Sequence, residues 1–168
     1  MMCGAELSKL PEGVQRVTAF LQNSGHTQQP RMLEDAARTA QQAADALCVE
    51  LGQIAKSIIF RRKSDDSAVL VITSGDKRVD EMKVQALVCE DGGKLGRADA
   101  DFVKLKTGFA IGGVAPVGHL TLPVTLLDKE LFRFESVWAA AGHPNAVFEI
   151  TPYALQLLTS APVTDVAI

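Results

Sequence analysis

Gly52-Gln53-Ile54-Ala55-Lys56-Ser57-Ile58-Ile59-Phe60 is the stretch on which the fold turns. Residues 56–61 and 69–73 are β-rich runs, and the polar run Lys63, Ser64, Asp65, Asp66 and Ser67 lies between them. Such residues suit a pleated, half-buried surface, so the pattern predicts a hairpin with a polar loop at the centre of a sheet. Lys56 interrupts Ile54, Ile58 and Ile59, which puts an ammonium at the edge of a core, where it has little water and electrostatic interactions are stronger. Downstream stands Gly112-Gly113-Val114-Ala115-Pro116. Two glycines let a backbone come close to a ligand, and the proline restrains the loop. The two segments read as a cation facing a rigid surface of amides and carbonyls. Plainer readings stay open for each alone: a strand-edge lysine whose ammonium reaches water, and a tight turn between elements.

Working outward, Val14, Val17, Phe20 and Leu21 recur at helical spacing after Pro11 and stop at Ser24-Gly25, which predicts a first helix. Thr39 with Gln42 three positions later is a capping-box pattern that opens a second. Asp80 caps a third carrying Met82, Val84, Leu87 and Val88, and Asp91-Gly92-Gly93 breaks it. A short fourth helix runs from about Asp99 to Gly108, with Asp99 and Asp101 placed to suit the dipole of its first turn. Residues 122–127, 135–138 and 146–150 read as strands, and Thr151-Pro152 starts a last helix that ends near Thr159. Helices and strands mix without regular βα alternation. The expected fold is therefore α+β, one compact domain over residues 1–168 with a mixed, largely antiparallel sheet flanked by helices, and residues 1–10 as a candidate disordered lead-in.

The chain has 168 residues, 47% hydrophobic and 22% charged, enough for one core of ordinary size. A formal charge of -3 and a pI near 5.6 argue against a protein that coats nucleic acid or binds DNA through bulk charge, while leaving room for a local contact with one RNA end. Arg61-Arg62-Lys63, Lys77-Arg78, Lys94 with Arg97, and Lys104 with Lys106 are basic spots of that kind, or simply solvated faces. No segment reaches the roughly 20 apolar residues that cross a bilayer, and the start lacks the pattern of a signal peptide, so a cytoplasmic protein is expected. Cys3, Cys48 and Cys89 have no metal-ligand spacing, and the latter two read as small hydrophobes on helices. With three scattered histidines, His26, His119 and His143, and no HExxH or paired CxxC, neither a metal nor another cofactor is expected. The glycines match neither a Walker loop nor a dinucleotide fingerprint.

Four blocks in order carry a resemblance: Thr39-Ala40-Gln41-Gln42-Ala43-Ala44, residues 52–60, Val71-Ile72-Thr73-Ser74-Gly75-Asp76, and residues 107–118. Through them the chain resembles the YbaK-type aminoacyl-tRNA deacylases, relatives of the editing domain inserted in bacterial prolyl-tRNA synthetases. The resemblance implies a hydrolase that removes a small mischarged amino acid from a tRNA 3′ end, typically proline tRNA, without metal or covalent intermediate. It implies that Lys56 holds the terminal adenosine and its phosphate, and that the backbone of Gly112 and Gly113 orients the aminoacyl ester and a water. Thr39, Ser57, Pro116, His119, His143 and Asn145 are the implied substrate contacts. The aminoacylated tRNA 3′ end is the implied partner, with prolyl-tRNA synthetase a second candidate.

An aminoacyl ester is already activated, so positioned water and backbone dipoles suffice for such chemistry. The mostly apolar residues 140–148 stand where the cysteine-selective branch has polar groups, which argues against cysteine, and Val114 and Ala115 before Pro116 favour a small, uncharged side chain such as that of alanine, serine or a near relative. Two other classes are weighed beside this one: a non-catalytic module that binds tRNA or a synthetase, and a lyase that forms a Schiff base through a desolvated lysine.

Overall fold

In the computed structural model of the chain, which describes residues 9–168, the strand order of the sheet is β1-β7-β6-β2-β3-β5-β8, with β4 added to β2. The expectations about Cys3 and the first eight residues lie outside the described residues. The strands are β1 (Arg31–Met32), β2 (Ile54–Arg62), β3 (Ser67–Ser74), β4 (Leu95–Arg97), β5 (Val124–Asp128), β6 (Val137–Ala140), β7 (Ala146–Ile150) and β8 (Val163–Thr164). Four pairings are antiparallel, β1–β7, β2–β3, β2–β4 and β6–β7. Three are parallel, β2–β6, β3–β5 and β5–β8. The sheet is mixed and mainly antiparallel, and the β2–β3 hairpin is its centre.

Past the first, the helices start where side chains meet otherwise orphaned N–H groups. α1 (Glu12–Asn23) follows Pro11. Thr39 accepts from the Gln42 N–H at the start of α2 (Ala40–Leu47), and the Gln42 side chain accepts from Arg38 N–H, one residue before the cap. Asp80 caps α3 (Glu81–Val88), Asp99 caps α4 (Ala100–Thr107), and Thr151 caps α5 (Pro152–Thr159) with proline at the first position.

Alternation along β2 divides the helices between two faces. Ala55 and Ile59 pack with Val14, Val17 and Leu21 of α1, Val103 of α4 and Leu155 of α5, the main core. On the other face Phe60 packs with Val84 of α3, and Ile54 with Ala43 and Ala44 of α2. Cys48 and Cys89 depart from the sequence reading: each is the residue that ends a helix, Cys48 in left-handed conformation and exposed, Cys89 half-buried.

One polar pair is sealed inside. Thr73 Oγ1 donates to Asp128 Oδ2 at 2.7 Å with both residues fully buried, and Asp128 Oδ1 accepts from Glu130 N–H at the start of the 3₁₀ turn Lys129–Arg133. Thr73→Val leaves that carboxylate one bond short without changing shape much. We expect it to lower unfolding free energy by about 1–3 kcal/mol in urea titration; an unchanged midpoint contradicts this account of the pair.

Candidate active site

β2 has unequal edges. On one side every residue from Ala55 through Arg62 has a partner in β3. On the other, β6 takes only Ile54 and Ala55, and β4 takes only Phe60, Arg61 and Arg62. Residues 56–59 are left without a strand neighbour there, and the gap opens into a cavity of about 370 Å³. That volume is at the small end of ligand sites, which run from roughly 300 to 1,000 Å³.

The cavity is bordered from both faces of the sheet. Thr39, Ala40 and Ala43 reach it from the α2 side, and Val103, Gly112 and Val114 from the main-core side. Lys56 shares its face with Ile54, and Ser57 shares the opposite face with Ala55. Lys56 and the glycine loop therefore meet one cavity from opposite faces of the sheet, rather than confronting each other directly.

Lys56 is held by a chain of polar contacts. Its Nζ donates to Lys77 O at 2.7 Å. The turn that carries Lys77 is fixed by Asp76, whose two carboxylate oxygens accept from Arg133 at 2.7 and 3.0 Å. Arg133 also donates to Ser74 Oγ at 2.8 Å, and the Ser74 hydroxyl donates to Gly52 O. Burial pushes the Lys56 pKa down, opposed in part by the Asp76 charge. The Arg133 hydrogen bonds hold the Asp76 carboxyl at about 2.

The loop needs its two glycines for separate reasons. Gly112 has φ +95°, a conformation that side chains other than glycine's rarely adopt, and a Cβ on Gly113 would lie 2.7 Å from His143 Cα. Beyond them Val114, Ala115 and Val117 are buried in the main core.

Of the residues singled out from sequence, Thr39, Lys56, Ser57 and Gly112 line the cavity, while Gly113, Pro116, His119, His143 and Asn145 stand outside its lining. Gly113 packs on the His143 backbone. Pro116, at the end of the loop, is buried. The His119 ring lies edge-on to Phe109, its Nε2 is 2.7 Å from Ala115 O, and burial pushes its pKa down. His143 Nδ1 accepts from Asn145 N–H, and Asn145 Nδ2 donates to Leu33 O at 3.3 Å, which ties the segment before α2 to the β6–β7 turn. Sequence reasoning missed Arg38, Trp138 and Pro144, which also line the cavity. Trp138 is the chain's one tryptophan, and that rarity was the available signal.

A second, more open hollow of about 830 Å³ adjoins the first and shares Lys56, Ile58, Ile59 and Ala98 with it. Arg78 and Arg97 border it, together with Asp80 and Glu81. Asp80 is engaged in capping α3.

A model of the aminoacyl-tRNA editing domain matches residues 34–158. The chain is 36% identical over 119 residues to the uncharacterized protein YwhH of Bacillus subtilis (strain 168), covering 71% of this chain and 73% of that one. It is 32% identical over 111 residues to the proline–tRNA ligase of Lactobacillus helveticus (strain DPC 4571), 66% of this chain but 19% of the ligase. A crystal structure provisionally described as a trans-editing enzyme for prolyl tRNA synthetase superposes with a TM-score of 0.87 at 40% identity, over 95% of this chain and 99% of that one. The chain belongs to the aminoacyl-tRNA editing domain family.

Two tests follow from the geometry. Ser57 Oγ is buried without a hydrogen-bond partner, so Ser57→Ala breaks no bond and should leave stability unchanged or raise it by up to about 1 kcal/mol; a clear loss on thermal denaturation contradicts the orphaned hydroxyl. The Asp76 carboxyl sits at about 2 against 3.8 when free, so its stabilisation is present above 3.8 and is lost as the pH falls toward about 2. Asp76→Asn should flatten the stability profile in that window. A variant profile parallel to the wild type would argue against the Arg133 clamp.

Proposed function

We propose that this chain is a trans-editing hydrolase that cleaves the ester between a small, wrongly attached amino acid and the 3′ end of a tRNA, with proline tRNA as the carrier. The observation that carries the reading is the joint presence of Lys56, Ser57 and Gly112 around one small cavity in a chain of the editing family. The likeness to a structure described as a trans-editing enzyme supports it, as does the likeness to a segment of a proline–tRNA ligase.

In this reading water adds to the ester carbonyl carbon, the bond to the ribose oxygen breaks, and that oxygen leaves with a proton. The products are free amino acid and uncharged tRNA. An ammonium has three donors and Lys56 spends one on Lys77 O, leaving two for the terminal nucleotide. The Gly112 loop walls the space for the ester and its water, and fixed dipoles there act on the oxyanion without reorganising. Ala43, Val114, Ala139, Ala140 and Ala146 shape an apolar lining suited to a small, uncharged side chain such as that of alanine or serine. Each methylene that a pocket discriminates is worth only about 1–3 kcal/mol, which is why a synthetase needs such a second site. The basic edge of the adjoining hollow, Arg78 and Arg97, suits the phosphates of the single-stranded tRNA end. A cytoplasmic protein working beside prolyl-tRNA synthetase fits this role.

The test is deacylation of proline tRNA charged with alanine, serine, cysteine, threonine or proline, by the wild type and by Lys56→Ala. We expect cleavage of the alanine or serine ester and a fall of at least about 100-fold in kcat/KM for the variant. Survival of every ester while tRNA still binds would replace the hydrolase with a non-catalytic tRNA-binding module. A folded Lys56→Ala with full activity would remove the lysine from the mechanism.

A further inference from the structure

The gap in β2 has a polarity that can be read residue by residue. Along a strand, backbone N–H and C=O groups point alternately to the two edges. Two bonds fix the phase: Arg62 O accepts from Asp66 N–H across the hairpin, and Lys63 N–H donates to Lys94 O on the β4 side. Lys56 and Ile58 therefore turn their backbone groups to β3, while Ser57 and Ile59 turn theirs to the gap. The β6 ladder ends at the rung Ala55–Ala139, and the β4 ladder begins at Phe60–Arg97. Between these ends the N–H and C=O of Ser57 and the N–H of Ile59 face the cavity without a strand partner. The Ser57 hydroxyl, buried and unpartnered, stands at the same place. Polar groups of this kind are normally satisfied in a folded protein.

This array matches the reacting end of an aminoacyl ester. Such an end carries an ammonium donor and a carbonyl acceptor on either side of one α-carbon, the spacing of a single strand residue. A residue paired parallel to β2 opposite Ile58 would donate to Ser57 O and accept from Ile59 N–H. Parallel is the direction in which β6 already runs along β2, so the ligand would continue the line that β6 abandons. The parallel sense also sends the ester oxygen and ribose toward Phe60 and Ala98, where the hollow bordered by Arg78 and Arg97 begins. The antiparallel sense would send the RNA toward Ala55 and the closed rung with β6.

Resting on the deacylase reading, we infer that the aminoacyl group docks as a one-residue extension of the sheet in the gap between β6 and β4. Its α-ammonium donates to Ser57 O, and its carbonyl oxygen accepts from Ile59 N–H. When water adds to the carbonyl, the oxygen that gains charge is the one facing Ile59 N–H, so a backbone amide of β2 joins the glycine loop in stabilising it. The site then selects for a free amine donor as well as for a small side chain.

The experiment has two parts and uses the unaltered protein. Amide hydrogen exchange in the free protein should be at least about 100-fold faster at Ser57 and Ile59 than at Lys56 and Ile58, whose N–H groups are held by β3; equal protection at all four would overturn the open edge. Binding is then compared for proline tRNA ending in 3′-amino-3′-deoxyadenosine, acylated through a stable amide with alanine or with propionic acid, which lacks only the amine. We expect the alanyl form to bind at least about tenfold tighter, the effect of one charge-assisted hydrogen bond, and the alanyl-adenosine amide to slow exchange at Ile59. Equal affinities, with the alanine ester still cleaved, would overturn the docking mode and leave the hydrolase standing. Equal affinities with no ester cleaved would overturn both.

Discussion

The site depends on an interruption: β2 is paired without a break from Ala55 through Arg62 with β3 and only at its two ends on the other edge. β6 stops because the chain must turn back into β7, a reversal closed by Ala141 N–H on Ala146 O and Ala146 N–H on His143 O. β4 stops at Arg97, two residues before Asp99 caps the next helix. The opening does not unseat the strand. On its intact side lie Val69, Leu70, Val71 and Ile72, all fully buried, so the energy that holds β2 comes from the β3 edge and the two cores. A cavity through the sheet is thereby compatible with a rigid frame.

A second constraint places the charge. Lys56 sits where burial disfavours an ammonium, and it is retained by Lys77 O and the nearby Asp76. Arg133, from the turn after β5, grips Asp76 and Ser74 at once and so ties the turn that carries Lys77 to the segment after β5. The glycine loop is positioned quite differently, by close packing on the His143 backbone and by three buried side chains beyond it. Charge and loop are fixed independently and meet only across the gap, which is the arrangement expected of a site that positions a substrate rather than attacks it.

Much of this frame was legible in the sequence, for local reasons. Thr39, Asp80, Asp99 and Thr151 are capping residues whose signal is contained within four positions, and the hairpin announced itself by two β-rich runs around a polar loop. The strands β1, β4 and β8 were invisible, since two or three residues carry no periodicity and owe their form to a partner distant in sequence. Cys48 and Cys89 were misread because apolar spacing continued to the last turn, whereas helix ends expose what helix interiors bury. Within the site, Lys56 and Gly112 stood out by their chemistry. The open edge at Ser57 and Ile59 had no sequence signal, since it arises from where two other strands end.

The most direct test of the whole account is a crystal structure with the stable amide of alanine and 3′-amino-3′-deoxyadenosine, extended by the two preceding cytidines. The account predicts the alanyl group in the gap between Ala140 and Arg97, beside Lys56 and Gly112, with the phosphates running past Arg97 and Arg78. An alanyl group lodged outside that gap, with the cavity left to solvent, would contradict it.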